Sequence, residues 1–270
     1  MYHKQRQIKK LNSYIPAAEA FRVFSGEKDC VFLDSSLVND LGRYSIIGAE
    51  PYLKLVRDGD SFQINGQEET QISFEDYLRE YLRDHVDRNE SELPLVSGAV
   101  GYFSYDYGRK LQGVPSGEKD LVKIPDAVLT FYDVYIIEDC HKKETYLVAN
   151  GITEDASAKI RKIEQKLWKK PEEKAEQKLP YDILVTPNFE KEEYKKAVDD
   201  MIHYIIEGDI YITNMTQQLT IESEKPPLDV FYDLRKNNPS PFGGYMDYGN
   251  FQIVSASPER FLKMKKGHVN

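Results

Sequence analysis

The chain is poor in the residues and patterns that mark several classes of protein. Its two cysteines, Cys30 and Cys140, stand alone and form neither a disulfide framework nor a zinc-binding pattern. No apolar run approaches the roughly 20 residues of a membrane helix, and the basic residues 1–11 lead into no apolar stretch of a secretory signal. We therefore expect a cytoplasmic protein with no membrane partner.

Positive charge is also in deficit. The chain has 36 Lys and Arg against 45 Asp and Glu, a formal net charge of −9. Such a surface offers no general attraction for nucleic acid, so no nucleic-acid partner is expected. The five histidines, at positions 3, 85, 141, 203 and 268, show no metal-ligand spacing.

What the chain does contain is the composition of a globular protein, with 40% apolar and 30% charged residues. Helical and strand patterns are mixed, and hairpin signals outnumber βαβ crossovers, which predicts an α+β fold with largely antiparallel sheets. Helices are expected over residues 16–24, 74–86, 154–168, 189–207 and 228–236. Extended segments are expected over 30–34, 43–48, 52–57, 61–64, 98–107, 127–138, 144–149 and 210–221.

One segment has the composition of a linker. Residues 169–180 contain two prolines, no aromatic residue and mostly charges. We therefore predict a domain over residues 1–168, a charged linker over 169–185 and the start of a second domain over 186–270.

The end of the chain predicts a hairpin followed by a carboxylate. Aromatic and β-branched runs cover 242–248 and 250–255, with Gly249 in the turn between them. The sequence Ser257-Pro258-Glu259 comes next. Its pattern is typical of a helix start, with serine as N-cap and proline at the first helical position. The alternative is that Glu259 acts as a general acid toward a leaving hydroxyl.

Two sets of polar residues earlier in the chain each have two interpretations. Ser35, Arg43 and Tyr44 are either ordinary loop residues, which the residues alone slightly favour, or a site that holds the carboxylate of a small ligand. The polar residues of the segment 213–218 either face solvent or contact a polar ligand.

Three segments resemble a known family. They are 32–35 with 42–48 (FLDS and GRYSIIG), 207–217 (EGDIYITNMTQ), and 238–242 with 255–261 (NPSPF and SASPERF). Together they resemble the large subunits of chorismate-aminating synthases, anthranilate synthase component I and aminodeoxychorismate synthase component I. Ile212 departs from the family pattern, which has glutamine there.

The resemblance implies facing, largely antiparallel sheets flanked by helices, in a considerably longer chain. We therefore expect this chain to be truncated at its C-terminus, its chorismate-binding domain to be incomplete, and the fragment to be inactive. Mg²⁺ is implied as cofactor with ligands beyond residue 270, so no metal ligand is expected within the chain. The implied partners are a glutamine amidotransferase subunit, chorismate and L-tryptophan.

The resemblance also implies roles for individual residues. Glu259 matches the proposed catalytic acid of the family. A second set matches positions that hold a tryptophan molecule: Ser35, Leu41, Gly42, Arg43, Tyr44, Pro241, Phe242 and Gly243.

Within the family, Arg260-Phe261 and Phe242 favour the aminodeoxychorismate branch. The expected activity is the formation of 4-amino-4-deoxychorismate from chorismate and ammonia or glutamine, for folate synthesis. The alternatives are anthranilate synthase component I, for tryptophan synthesis, and a tryptophan-binding fragment without catalysis.

Overall fold

The structure is a computed structural model that describes residues 6–115, 122–169, 184–265 and 267–269. The described strands are β1 (Gln7–Lys10), β2 (Val31–Asp34), β3 (Tyr44–Asp58), β4 (Ser61–Ile64), β5 (Gln67–Glu68), β6 (Ala99–Phe103), β7 (Ala127–Asp139), β8 (Glu144–Ala149), β9 (Leu184–Pro187), β10 (Leu219–Glu222), β11 (Phe242–Asp247), β12 (Gln252–Ser257), β13 (Met264–Lys265) and β14 (His268–Val269). The described helices are α1 (Ala17–Phe24), α2 (Phe74–Asp84), α3 (Tyr105–Leu111), α4 (Ala156–Leu167), α5 (Lys191–Glu207) and α6 (Pro227–Asn237).

Ten strands form one sheet, whose main path is β1-β8-β7-β3-β2-β11-β12. Every pair in this sheet is antiparallel. β7 lies at its centre, and all 13 of its residues are buried. The predicted fold class, α+β with largely antiparallel sheets flanked by helices, is confirmed.

Both faces of the sheet are covered. Ile136 of β7 packs in one hydrophobic cluster with Phe21 of α1 and Phe231 of α6. Its neighbour Ile137 packs in a second cluster with Leu93, because successive strand residues point to opposite faces. Helices and the segment before β6 therefore enclose the central strand.

β3 is one strand of 15 residues where the sequence predicts two. A bulge lies between Pro51 and Leu53 in its pairing with β7. Proline has no backbone N–H to donate, so it is tolerated in a sheet at such irregularities. Before the bulge β3 pairs with β2, and after it with β4. The break in the sequence pattern therefore marks a change of neighbouring strand.

The predicted hairpin is confirmed as β11 and β12, with Phe242 paired to Ser257 at its open end. β11 also pairs with β2, so residues 227–270 group with residues 1–172 in one compact unit. Residues 173–226 form the other unit. The predicted linker over 169–185 lies largely outside the described residues, and the predicted domain division stays a prediction.

Within the smaller unit, β9 pairs with β10, and α5 carries a capping box between Glu190 and Glu193. α5 ends at Gly208, whose φ of 86° is the left-handed conformation expected of a glycine cap. The predicted strand over 210–221 is wrong for most of its length, because only 219–222 is paired.

One other local prediction is wrong, and one of the two alternatives for Ser257-Pro258-Glu259, the helix start, is not found in the described part of the chain. Tyr105–Tyr107 were expected to be extended, but they begin α3, because the Ser104 side chain accepts the Tyr107 N–H at 3.0 Å as an N-cap. No helix begins at Ser257 within the described residues. Its hydroxyl instead accepts the Glu259 N–H at 3.4 Å in a local turn.

Among the helices of the described ranges, none has the length and apolarity to cross a membrane.

Candidate functional site

The predicted tryptophan site is the set Ser35, Leu41–Tyr44 and Pro241–Gly243, which comes from three segments of the chain. Ser35 lies at the end of β2 and is 6% exposed. Its hydroxyl oxygen lies 2.8 Å from the carbonyl oxygen of Tyr44 and 3.0 Å from that of Pro241. This one side chain therefore joins the end of β2, the start of β3 and the residue before β11.

The turn before β3 is fixed by Asn39, whose side-chain oxygen accepts the N–H groups of Leu41 at 2.9 Å and Gly42 at 2.8 Å. A Cβ on Gly42 would lie 2.3 Å from the carbonyl oxygen of Leu37 and 3.0 Å from Cα of Pro241. Only glycine allows this turn to approach the backbone before β11.

A second set of bonds secures the segment before β11. The Ser36 hydroxyl accepts the Ser240 N–H at 2.9 Å, and the Leu37 N–H donates to the Ser240 carbonyl at 3.0 Å. Gly243 then pairs with both Asp34 and Ala256. The structure thus brings the predicted residues from both ends of the chain together around these backbone contacts.

Arg43 is held by a buried carboxylate. Its Nη2 lies 2.6 Å from Oδ2 of Asp139, and its guanidinium carbon lies 4.7 Å from the centre of the Tyr44 ring. The Arg43 side chain is 37% exposed, whereas that of Asp139 is 3% exposed. A guanidinium has five N–H donors, so those not directed at Asp139 could reach a ligand. The predicted role of Arg43 in holding tryptophan stays a prediction.

Asp139 is the anchor of this corner. Burial alone would raise the pKa of its carboxyl, but the hydrogen bonds from Arg43 and from the backbone N–H groups of Lys142 and His141 outweigh burial and lower that pKa. The backbone N–H groups lie 3.0 and 3.1 Å from its Oδ1. The lowered pKa favours the ionised form of Asp139, which is the form that pairs with Arg43.

Sequence reasoning missed the pair formed by the buried Asp34 and the partly exposed Arg235. Nε of Arg235, on α6, lies 2.8 Å from Oδ2 of Asp34, the residue before Ser35. Burial raises the pKa of the Asp34 carboxyl, and Arg235 and the Ser45 hydroxyl offset only part of that effect. The partners are 201 residues apart, so no local pattern could have indicated the pair.

Glu259 follows the open end of the hairpin, two residues beyond Ser257, the strand partner of Phe242. It is exposed. The next residue, Arg260, turns back toward the predicted tryptophan site: its Nη2 lies 3.4 Å from the carbonyl oxygen of Leu41. Leu41 and Arg260 are 219 residues apart, so no local pattern indicates this contact.

Magnesium requires a group of oxygen ligands. Within the described ranges, no group of three or more His, Cys, Asp or Glu side chains is placed to hold a metal ion. The expectation of Mg²⁺, with ligands beyond residue 270, stays a prediction.

The sheet and helices described above define an α+β protein built on one large antiparallel sheet. The crystal structure of anthranilate synthase component I from Streptococcus pneumoniae superposes with a TM-score of 0.68 at 24% identity, over 86% of this chain and 54% of that chain. At this identity the match shows the fold.

The family follows from the sequence match. A model of the chorismate binding enzyme family matches residues 36–270, so the chain belongs to that family. Anthranilate synthase component 1 of Acetivibrio thermocellus is 28% identical over 90% of this chain and 53% of its own length. Aminodeoxychorismate synthase component 1 of Klebsiella aerogenes is 26% identical over 84% of this chain and 50% of its own length. The chain thus spans about half the length of the curated relatives that it matches.

Proposed function

We propose that this chain supplies the N-terminal part of the large subunit of a chorismate-aminating synthase, and that the product is 4-amino-4-deoxychorismate. The observation that carries the choice of branch is the contact between Arg260 and Phe242. The guanidinium carbon of Arg260 lies 4.8 Å from the centre of the Phe242 ring. Two of the three residues that favour the aminodeoxychorismate branch are therefore in contact, and an aliphatic residue after Glu259 would not reproduce this contact.

In the proposed reaction, the ammonia nitrogen ends bonded to C4 of the chorismate ring, and the bond between C4 and its hydroxyl oxygen breaks. Glu259 donates a proton, so that the hydroxyl leaves as water. The nitrogen loses one proton as it becomes an amine, and a proton returns Glu259 to its acid form, so the reaction balances. A general acid works best when it is buried, and the described residues leave Glu259 exposed. In this proposal the substrate and further parts of the protein cover it.

The proposal also names a partner, a compartment and a cofactor. A glutamine amidotransferase subunit supplies ammonia, and the reaction takes place in the cytoplasm. Mg²⁺ is bound by residues beyond position 270. None of the steps assigned to residues of this chain depends on the ion.

The test uses a protein that spans the full length of the relatives and contains this chain, supplied with chorismate, Mg²⁺ and an ammonium salt. The expected product is 4-amino-4-deoxychorismate, identified by mass. Anthranilate together with pyruvate would overturn the choice of branch and establish the alternative, which the relatives named anthranilate synthase support at similar identity. No consumption of chorismate would overturn the proposal of an enzyme.

A second candidate function is the binding of L-tryptophan by the 270-residue chain. The observation that favours it is the close assembly of Ser35, Gly42 and Pro241 into a fixed framework. Calorimetry with L-tryptophan is the test, with L-alanine as the control for binding of an amino acid backbone alone. We expect heat with L-tryptophan and weaker binding in Arg43→Ala. An absence of heat, or unchanged affinity in the variant, would remove the site as predicted.

A further inference from the structure

Arg260 makes two contacts that the proposed chemistry does not explain. Its Nη2 donates a hydrogen bond to the Leu41 carbonyl at 3.4 Å, and its guanidinium carbon lies 4.8 Å from the centre of the Phe242 ring. The two partners are on different segments of the predicted tryptophan site. Arg260 therefore bridges the turn before β3 and the first residue of β11.

Both partners are themselves fixed. Leu41 is in the turn secured by Asn39, and Phe242 is paired with Ser257 in the hairpin. A contact with two fixed groups restricts the residue that makes it. The guanidinium of Arg260 is consequently held between two fixed groups.

The neighbouring residues are bonded only locally or are exposed. The backbone of Glu259 is bonded to Ser257, whose hydroxyl donates to the Glu259 carbonyl at 3.0 Å and lies 3.4 Å from the Glu259 N–H, while the Glu259 side chain is exposed. On the other side, Phe261 is 93% exposed. Beyond these local bonds, the side chain of Arg260 links this segment to the turn before β3.

We propose that Arg260 is a positioning residue, which holds Glu259 in place by clamping the segment 258–261 to the Leu41 carbonyl and the Phe242 ring. This inference rests on the proposed function, because Glu259 is the acid that the clamp would position. A guanidinium suits the task, since its flat face can stack on a ring while its edge donates a hydrogen bond. A lysine ammonium cannot make both contacts in this geometry.

A spin label at position 261 tests the clamp in the 270-residue chain. Phe261→Cys provides the attachment site, because the native Cys30 and Cys140 are buried. Burial also raises the pKa of the Cys30 thiol to about 12 and that of the Cys140 thiol to about 11, which keeps both unreactive near neutral pH.

The expected result is an ordered component in the electron paramagnetic resonance spectrum of the labelled chain. Its ratio to the mobile component should fall about fivefold in Arg260→Gln, which corresponds to about 1 kcal/mol. Arg260→Lys should fail to restore the ratio. Lys263→Gln, which removes an exposed positive charge from the same segment, should leave it unchanged. All variants should keep the same thermal melting curve, because the change is local.

An unchanged spectrum in Arg260→Gln would overturn the clamp, and so would full restoration by Arg260→Lys. Neither outcome depends on chorismate, so a failed clamp is distinct from a failed proposal of amination. In the full-length protein, Arg260→Gln should also lower kcat about fivefold with KM unchanged, as expected when a transition-state interaction is lost. A change in KM alone would contradict the positioning of Glu259.

Discussion

The replacement of Ser35 by alanine tests whether a single hydroxyl holds together the three segments of the predicted tryptophan site. The Ser35 hydroxyl carries one hydrogen, and the carbonyl oxygens of Tyr44 and Pro241 lie 2.8 and 3.0 Å from its oxygen. Ser35→Ala removes this donor and leaves the backbone N–H of Ser35 bonded to the Ser45 hydroxyl at 3.0 Å. The perturbation is therefore confined to one donor in a buried place.

The size of the effect follows from that burial. A hydrogen bond contributes about 0.5–1.5 kcal/mol net, and a buried acceptor left without its donor costs about 1–3 kcal/mol. Since one hydrogen serves two carbonyl oxygens, we count the cost once. We expect the free energy of unfolding to fall by about 1–3 kcal/mol in Ser35→Ala.

Urea unfolding measures this change, followed by the fluorescence of Trp168, the single tryptophan of the chain. Trp168 lies in the same compact unit as Ser35, so its signal reports the unfolding of that unit. The midpoint should fall while the slope with urea stays constant. Ser25→Ala is the matched control, because the Ser25 hydroxyl bonds the Arg22 carbonyl at an exposed site, and it should change stability by less than about 0.5 kcal/mol. A loss below that limit in Ser35→Ala would refute the reasoning.

Three further predictions concern the same corner of the molecule. Gly42→Ala should destabilise the fold by about 1–3 kcal/mol in a thermal melt, the usual cost of overpacking, because the new Cβ would lie 2.3 Å from the Leu37 carbonyl oxygen. In Asp139→Asn, the free energy of unfolding should fall less steeply below about pH 4 than in the parent chain. The pKa of Asp139 is lowered in the folded state, so its carboxylate stabilises the fold above the unfolded-state pKa. This stabilisation is lost as the pH falls through the folded-state pKa. Glu259→Gln in the full-length protein should lower amination turnover by about 10²–10⁴.

Each of these has a control. Gly26→Ala places a Cβ where nothing lies within 4 Å, so a similar loss of stability there would contradict the steric reasoning. Asp84→Asn changes an exposed carboxylate and should keep the acid dependence of the parent chain. For Glu259, the control is Glu224→Gln, which removes an exposed carboxylate from another segment. Near-parental turnover in Glu259→Gln would remove Glu259 from the chemistry.

Much of the fold could be predicted from the sequence, because many of its elements are encoded locally. The hairpin of β11 and β12 follows from two apolar runs around Gly249, whose φ is 90°. The end of α5 follows from Gly208. α3 could have been predicted from Ser104, which is a good N-cap residue. The tyrosines after Ser104 are also typical of a strand, and they favoured the wrong prediction.

Strand pairing is where local reasoning failed. The segment 210–218 has residues acceptable in a strand, yet only 219–222 finds a partner in β9. Conversely, Pro51 marks the end of a strand in the pattern, yet β3 continues through it because β7 pairs with both halves. A strand forms only where a partner supplies its hydrogen bonds. The residues of one segment do not indicate which other segment will be that partner.

The same limit applies to the candidate site. The sequence by itself determined which residue types are present, the local turns that present them, and the family to which their order belongs. The tertiary structure alone decided that Asp139 holds Arg43 from 96 residues away, and that Ser35 meets the backbone of Pro241 from 206 residues away. The first contact forms because β3 pairs with β7, which sets Tyr44 opposite Asp139. The second forms because β2 pairs with both β3 and β11, and burial then makes each unpaired polar group costly.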